Sequence, residues 1–405
     1  MTGRANWRLV APAVFMLAWG GNHFTPLLHV YEELGPYAPW QANLLLGLYV
    51  IGLVPGLLVA AALSDRLGRK PLMLAGLAAG TIGSLILAAG LHHLALLALG
   101  RAFAGIGVGI AMSVGASWIA ELSSPRYDPD AGAGARARRG ALTLTLGFAT
   151  GAAVSGGLAQ WSGSPVLWPY AAHLAGTLVA AALVIGATET VGPEHRASGA
   201  WWRDLHVPAA GHKRFVGVVL PAAPWVFAAA GVAYAVMPAI ADKALGDWST
   251  LYATVLTVIT LGIGAAVQPF VATLDQRTGG RALPVGLALM TAGMVLAALA
   301  ARAGDPWLAM GVAATLGAAY GITVVAGLTH VMAIATADDL AGLTGIYYAL
   351  SYTGFLLPTV LAATLSAAPY ALTLTVVAAV CALCLATVVV RVRPWTWSPA
   401  TESDG

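Results

Sequence analysis

The sequence predicts an all-α membrane protein, with twelve transmembrane helices in two pseudo-symmetric six-helix bundles. Three observations carry this. The 405 residues are 59% hydrophobic and only 9% charged, with a mean hydropathy of +0.80. A soluble domain carries about 25% charged residues, so this chain has too few charges to cover a water-facing surface. Apolar runs recur along it, each near the roughly 20 residues a helix needs to cross a bilayer. The longest polar break, 188–214, divides these runs six and six, as expected of a duplicated membrane bundle.

The spans expected in order are 9–31, 41–63, 71–91, 94–119, 140–161, 165–187, 215–238, 249–273, 282–301, 306–334, 341–366 and 369–391. They imply a first bundle over 1–187, a linker over 188–214, a second bundle over 215–392 and a tail over 393–405. Charge placement orients them. Seventeen of the twenty Lys and Arg fall in segments alternating to one side, and only Lys243 and Arg302 to the other. The last, Arg101, lies inside span four. Cations collect on the cytoplasmic side, so both termini are expected in the cytoplasm and the chain in the inner membrane. The first apolar run continues as a span, so no cleavable signal peptide is expected.

Between spans two and three lies the densest polar knot, Ala61-Ala62-Leu63-Ser64-Asp65-Arg66-Leu67-Gly68-Arg69-Lys70-Pro71. Gly68 is free to take a positive φ at a reversal, and three cations there favour the cytoplasmic face. One reading is a positive-inside anchor. The other is a latch that ties helix ends together in one conformation. The order A-x-L-S-D-R-x-G-R-K resembles the loop between helices two and three of the major facilitator superfamily, with Ala61 in place of that pattern's first Gly. Asp65, Arg66, Gly68, Arg69 and Lys70 match it.

Further motifs extend the resemblance. In span four, Leu97-x-x-x-Arg101-x-x-Ala104-Gly105-x-Gly107-x-Gly109 is similar to the superfamily's fourth-helix motif, which implies a part for Arg101 in proton coupling. A guanidinium inside a span is costly unless it faces water, a partner or a ligand; snorkelling outward is the alternative. Glu121-x-x-x-Pro125 and Arg139-Gly140 resemble the element that closes the latch, so Glu121, Asp65, Arg69 and Arg139 are expected in one inner-face charge cluster. Gly147-x-x-x-Gly151-Ala152-x-x-Ser155-Gly156-Gly157 in span five is similar to the glycine-rich motif of bacterial drug–proton antiporters, with Ala152 where that motif has Pro. Glycines there also serve tight packing. Thr188-Glu189-Thr190 resembles a marker after span six, and Leu274-Asp275-Gln276-Arg277-Thr278-Gly279-Gly280-Arg281 echoes the latch in the second half.

The remaining candidates are polar groups inside spans. No carboxylate is expected at mid-membrane, which leaves histidine as the group that titrates near neutral pH. Asn22 and His23, just before Pro26, and His330 in span ten are candidates for substrate or proton binding, while His173 is read as packing. Tyr348 and Tyr352 in span eleven belong to an aromatic stripe with Phe355, to which Trp225, Tyr234 and Tyr320 add rings. Such stripes pack helices or line a cavity for amphipathic aromatic ligands. Cys381 and Cys384 read as small core residues. No phosphate-binding loop, metal-ligand spacing or nucleophile motif is present. No cofactor, metal, nucleic acid or enzymatic activity is therefore expected, and the chain is expected to act as a monomer.

The resemblance implies a secondary transporter working by alternating access. Its expected task is proton-coupled efflux of small amphipathic or aromatic compounds, with uptake or exchange of a small organic anion as the alternative. A membrane enzyme or receptor is the reading from a different class.

Overall fold

The structure is a computed structural model that describes residues 6–131, 135–192, 194, 201, 207–336 and 340–392. The tail over 393–405, part of the expected linker and the loop cations Arg4, Arg196, Arg203 and Arg393 lie outside the described residues. All regular structure among the described residues is helical.

In the first half α1 covers Trp7–Asn22, α2 Leu28–Leu34, α3 Pro39–Leu67, α4 Arg69–Ala89, α5 Leu94–Ile110, α6 Ala116–Leu122, α7 Ala135–Trp161 and α8 Leu167–Ile185. In the second half α9 covers Leu220–Gly231, α10 Met237–Leu245, α11 Ser249–Val267, α12 Val271–Arg277, α13 Ala282–Ala303, α14 Pro306–Met332, α15 Leu340–Tyr352, α16 Leu357–Ala363 and α17 Tyr370–Arg391. Ten stretches among the described residues are long and apolar enough to cross a membrane. The difference from the twelve expected has two sources. The expected first span is interrupted by a 3₁₀ turn at Thr25–Leu27, where Pro26 removes a backbone donor. The expected seventh and eighth spans form one stretch, 215–277, broken at Gly246.

Other breaks fall at prolines and at π turns. Gln268–Phe270 and Thr353–Leu356 are 3₁₀ turns, and π turns occur at Ala111–Gly115 and Val232–Val236. A π turn re-aims side chains within a helix; the second of these carries Tyr234 and the first Met112.

Three apolar clusters organise the packing. One lies in the first half around Leu17, Met73 and Trp118. A second lies in the second half around Met290, Leu316 and Cys381. The third crosses the boundary, joining Phe24, Tyr49 and Leu53 to Phe227, Tyr347 and Tyr352. Within the first half α3 and α5 approach most closely: a Cβ on Gly52 would run into the carbonyl of Ala102, and one on Gly105 into that of Tyr49. Such approach is how small residues bind membrane helices together.

The α3–α4 turn needs its glycine for a different reason. Gly68 sits at φ 104°, and a Cβ there would press on the Glu189 carboxylate. That carboxylate accepts the N–H groups of Arg69 and Lys70, both at 2.9 Å, and so caps the start of α4. Burial works to raise the Glu189 pKa, yet the N–H groups of Lys70, Arg69, Val191 and Thr190 hold it below the ordinary glutamate range. A depressed acid stabilises the fold above its unfolded pKa, and that contribution is lost as pH falls through the folded value. Glu189→Gln is expected to cost about 1–2 kcal/mol and to flatten the acid side of the stability profile. Thermal unfolding in detergent between neutral and acid pH reads both.

Candidate functional site

A cavity of about 310 Å³ lies between the two halves. Its walls come from the breaks just described. Asn22 and Thr25 flank the interruption after α1, Met112 and Tyr234 sit on the π turns, and Gln268 and Phe355 on the 3₁₀ turns. The rest of the polar and aromatic lining is Tyr49, Arg101, Thr145, Phe148, Phe227, Tyr320, Tyr348 and Tyr352. No carboxylate lines it.

Arg101 is the one guanidinium in this wall. It is 2% exposed, so it does not snorkel outward. Its Nε donates to the Leu45 carbonyl at 3.0 Å and its Nη1 to the Gly21 carbonyl at 3.4 Å. The guanidinium lies 4.7 Å from the ring centroids of both Phe24 and Tyr49. The residue therefore ties α1 to α3 while reaching the cavity, and the two ring faces offset part of the cost of burying its charge.

Asn22 is fixed as well. Its Oδ1 accepts from Thr25 Oγ1 at 2.7 Å and its Nδ2 donates to the Phe148 carbonyl at 3.1 Å. Tyr352 stacks on Phe227 with centroids 4.0 Å apart and planes 14° apart, and lies 5.9 Å from the Tyr49 ring that Arg101 contacts. The lining thus combines stacked rings with a guanidinium and an amide, a surface suited to a ring that also carries hydrogen-bond acceptors.

The three histidines considered from the sequence sit elsewhere. His23 is fully buried behind the wall, edge-on to Tyr170 at 4.8 Å and to His173 at 4.9 Å, and neither of its ring nitrogens has a hydrogen-bond partner. His173 is held by Ser84 at 2.8 Å and by the Met16 carbonyl at 2.9 Å. His330 lies near the end of α14 in a separate pocket. Arg214 Nη2 donates to its Nδ1 at 2.9 Å, so that nitrogen must present a lone pair.

At the end of the molecule that carries Arg69, the polar groups form two clusters where one was expected. Arg69 bridges Asp65 at 2.7 Å and Glu121 at 2.8 Å, and also donates to Ser64 Oγ. Lys70 Nζ donates to the Ile185 carbonyl and Arg66 Nη1 to that of Ala62. Arg139 does not join them. It pairs with Asp128 at 2.6 Å and lies 4.4 Å from the Trp7 ring centroid. Asp128 belongs to the insertion after Pro125, and that inserted carboxylate draws Arg139 away. All these partners lie within the first half.

The opposite end is where the halves meet through polar groups. Gln160 on α7 donates to the Asp247 carbonyl and accepts from the Leu251 N–H. His29 Nε2 lies 3.6 Å from Asp242 Oδ1, an ion pair when the ring is protonated. Leu356 packs over Gly47 and Thr254 over Gly156. The cavity lining instead extends toward the Arg69 end through Ala141, Thr145, Gln268 and Leu328.

Sequence reasoning did not single out Tyr49, Thr145, Phe148, Phe227 or Gln268. Gln268 carried a usable signal, an amide beside Pro269 within an apolar span. The others are ordinary aromatic or hydroxyl residues whose role depends on which helix faces which.

The family model described as Major Facilitator Superfamily matches residues 10–354. The structure is similar to that of the nucleoside transporter NupG, with TM-score 0.73 and 13% identity, over 95% of this chain and 98% of that one. It is similar to the xylose transporter XylE from E. coli in a partially occluded inward open conformation, with TM-score 0.68 and 14% identity, over 96% and 98%. It is also similar to a POT family transporter in complex with 5-aminolevulinic acid, with TM-score 0.73 and 11% identity, over 96% of each chain. No curated protein matches the chain in sequence.

Proposed function

This chain belongs to the Major Facilitator Superfamily, and we propose that it carries small ring-bearing compounds, neutral or anionic, across the membrane by alternating access. The observation that carries the substrate class is the lining: stacked rings, one guanidinium and two side-chain amides, with no carboxylate. A cation entering such a cavity would meet Arg101 without a counter-charge, whereas a carbonyl, hydroxyl or carboxylate would find donors. Ring-bearing cargo agrees with two of the structural neighbours, a nucleoside and a xylose transporter, with which the chain shares the fold.

The two halves, 1–187 and 215–392, are the proposed moving bodies. The Arg69 end faces the cytoplasm in this reading, following the bias of Lys and Arg, and the outer face is the one held shut. His23 and the outer-face acids are the proposed proton-binding groups, and the protein acts as a monomer in the inner membrane. The expectation of drug efflux drew on an apolar cavity, the Tyr stripe and the glycines of span five. Gly147 and Gly151 pack on the backbone of Phe15 and Trp19, which serves either direction, so the test is one of substrate class.

That test is counterflow in proteoliposomes with three ligand sets: aromatic carboxylates, uncharged glycosides or nucleosides, and cationic amphiphiles. Tyr352→Ala removes the stacked pair with Phe227 and is expected to weaken binding about three- to tenfold. Transport of cations alone would overturn the substrate class.

A further inference from the structure

The second half repeats the latch but leaves it unfilled. In the first half the α3–α4 turn is answered by two carboxylates: Glu121 takes the Arg69 guanidinium and Glu189 takes the Arg69 and Lys70 N–H groups. In the second half Asp275 precedes the turn and Arg281 follows it, as Asp65 and Arg69 do. Asp275 is occupied as a cap, its Oδ1 accepting the Ala282 N–H at 3.0 Å. Glu121 comes 52 residues after Arg69. The residue at the same interval after Arg281 is Ala333. A methyl group therefore stands where the first half has its carboxylate.

The space is a cavity of about 610 Å³ whose lining includes Arg214, Asp275, Gln276, Thr329, His330 and Ala333. Arg214 reaches it from the start of the second half and gives one N–H to His330. Among the described residues no carboxylate lies within ion-pairing distance of Arg214 or Arg281. Arg214 thus has donors to spare in a roomy pocket at a helix-bundle end, where the carboxylate in the lining, Asp275, is engaged as a cap and does not pair with it.

We propose that this pocket binds a phosphate-type oxyanion in the place that Glu121 fills in the first half. The planar fork of Arg214 matches two phosphate oxygens, and the His330 contact holds that fork in the pocket. The pocket is lined by residues of α12 and by the last turns of α14, and ends of membrane-crossing helices come near the depth of lipid phosphates. The oxyanion is thus either the headgroup of an anionic lipid or free phosphate.

Two measurements on the full chain distinguish these sources. Native mass spectrometry after reconstitution in phosphatidylcholine with phosphatidylglycerol counts retained anionic lipid. Thermal unfolding in detergent, with inorganic phosphate against chloride at matched ionic strength, reads free anion. Arg214→Gln is expected to weaken binding about tenfold in the arm that responds. Ala333→Glu supplies the missing carboxylate without touching Arg214; it is expected to abolish anion binding and raise the midpoint of unfolding. It keeps the test valid should Arg214→Gln fold poorly. A response in the lipid arm alone assigns a headgroup, and one in the phosphate arm alone assigns free phosphate. Equal behaviour of the parent and both variants in both arms overturns the proposal.

Discussion

Arg101→Leu is expected to abolish transport while leaving a folded protein. The guanidinium holds the carbonyls of Leu45 and Gly21, on two different helices, and lies between the rings of Phe24 and Tyr49. Leucine fills part of the space but leaves both carbonyls without that donor and the cavity without its positive wall. Losing charge-assisted hydrogen bonds in a buried site costs several kcal/mol, so transport should fall about a hundredfold or more. Arg101→Lys should rescue little. A lysine ammonium is a point charge that can neither fork between two carbonyls nor stack flat between two rings. Counterflow rates, with a thermal midpoint for each variant to confirm folding, decide the matter. Near-parental transport by Arg101→Leu would return Arg101 to a purely structural place in α5.

The part of the molecule written in single helices was legible in the sequence, and the part made between helices was not. The apolar runs and the Asp65–Lys70 knot could be read because hydropathy and the Ser-Asp-Arg-x-Gly-Arg-Lys order are local. So could Tyr348 and Tyr352, whose spacing puts both on one helix face, and the structure lines the cavity with that face. His330 falls in span ten as expected, but two residues before the end of α14 and in a separate pocket; hydropathy places a span without telling which cavity a side chain near its end lines. Arg139 was grouped by motif with Glu121, and the inserted Asp128 changed its partner. Tyr49, Phe148 and Phe227 face the cavity because α3, α7 and α9 converge there, which no periodicity within one helix reports. The closure through His29 and Asp242 depends likewise on α2 and α10, two helices that approach only in the folded chain.

That closure leads to the second large effect: the end of the molecule that carries Glu32 and Asp242 is expected to open as pH rises from about 4.5 toward neutrality. Burial, and then the nearby Asp242 carboxylate, push the Glu32 pKa up to about 7. Asn43 donates to its Oε1 at 3.3 Å, but that single neutral contact does not offset the desolvation. The groups around it come from both halves. His29 lies 3.6 Å from Asp242 and 3.9 Å from Glu33, Ser249 donates to Asp242 at 2.6 Å, and Tyr370 of α17 is within electrostatic reach of Glu32. The sign follows from linkage. An acid whose pKa is raised in the closed arrangement binds its proton more tightly there, so protonation favours closure. If opening returns Glu32 to water and to its ordinary value of 4.5, closure is undisturbed below pH 4.5 and is penalised progressively up to about 7. Above that the penalty is constant, at most about 3 kcal/mol and less where water screens the pair. Spin labels at Leu34 and Lys243, one on each half, should therefore report a short distance at pH 5 and a growing long-distance population by pH 8. Glu32→Gln should hold the short distance at both values, because a neutral amide keeps the hydrogen bond from Asn43 and removes the charge. A parental distance distribution that does not change with pH would mean that the halves close here by packing, through Leu356 on Gly47 and Thr254 on Gly156, with the acids as bystanders.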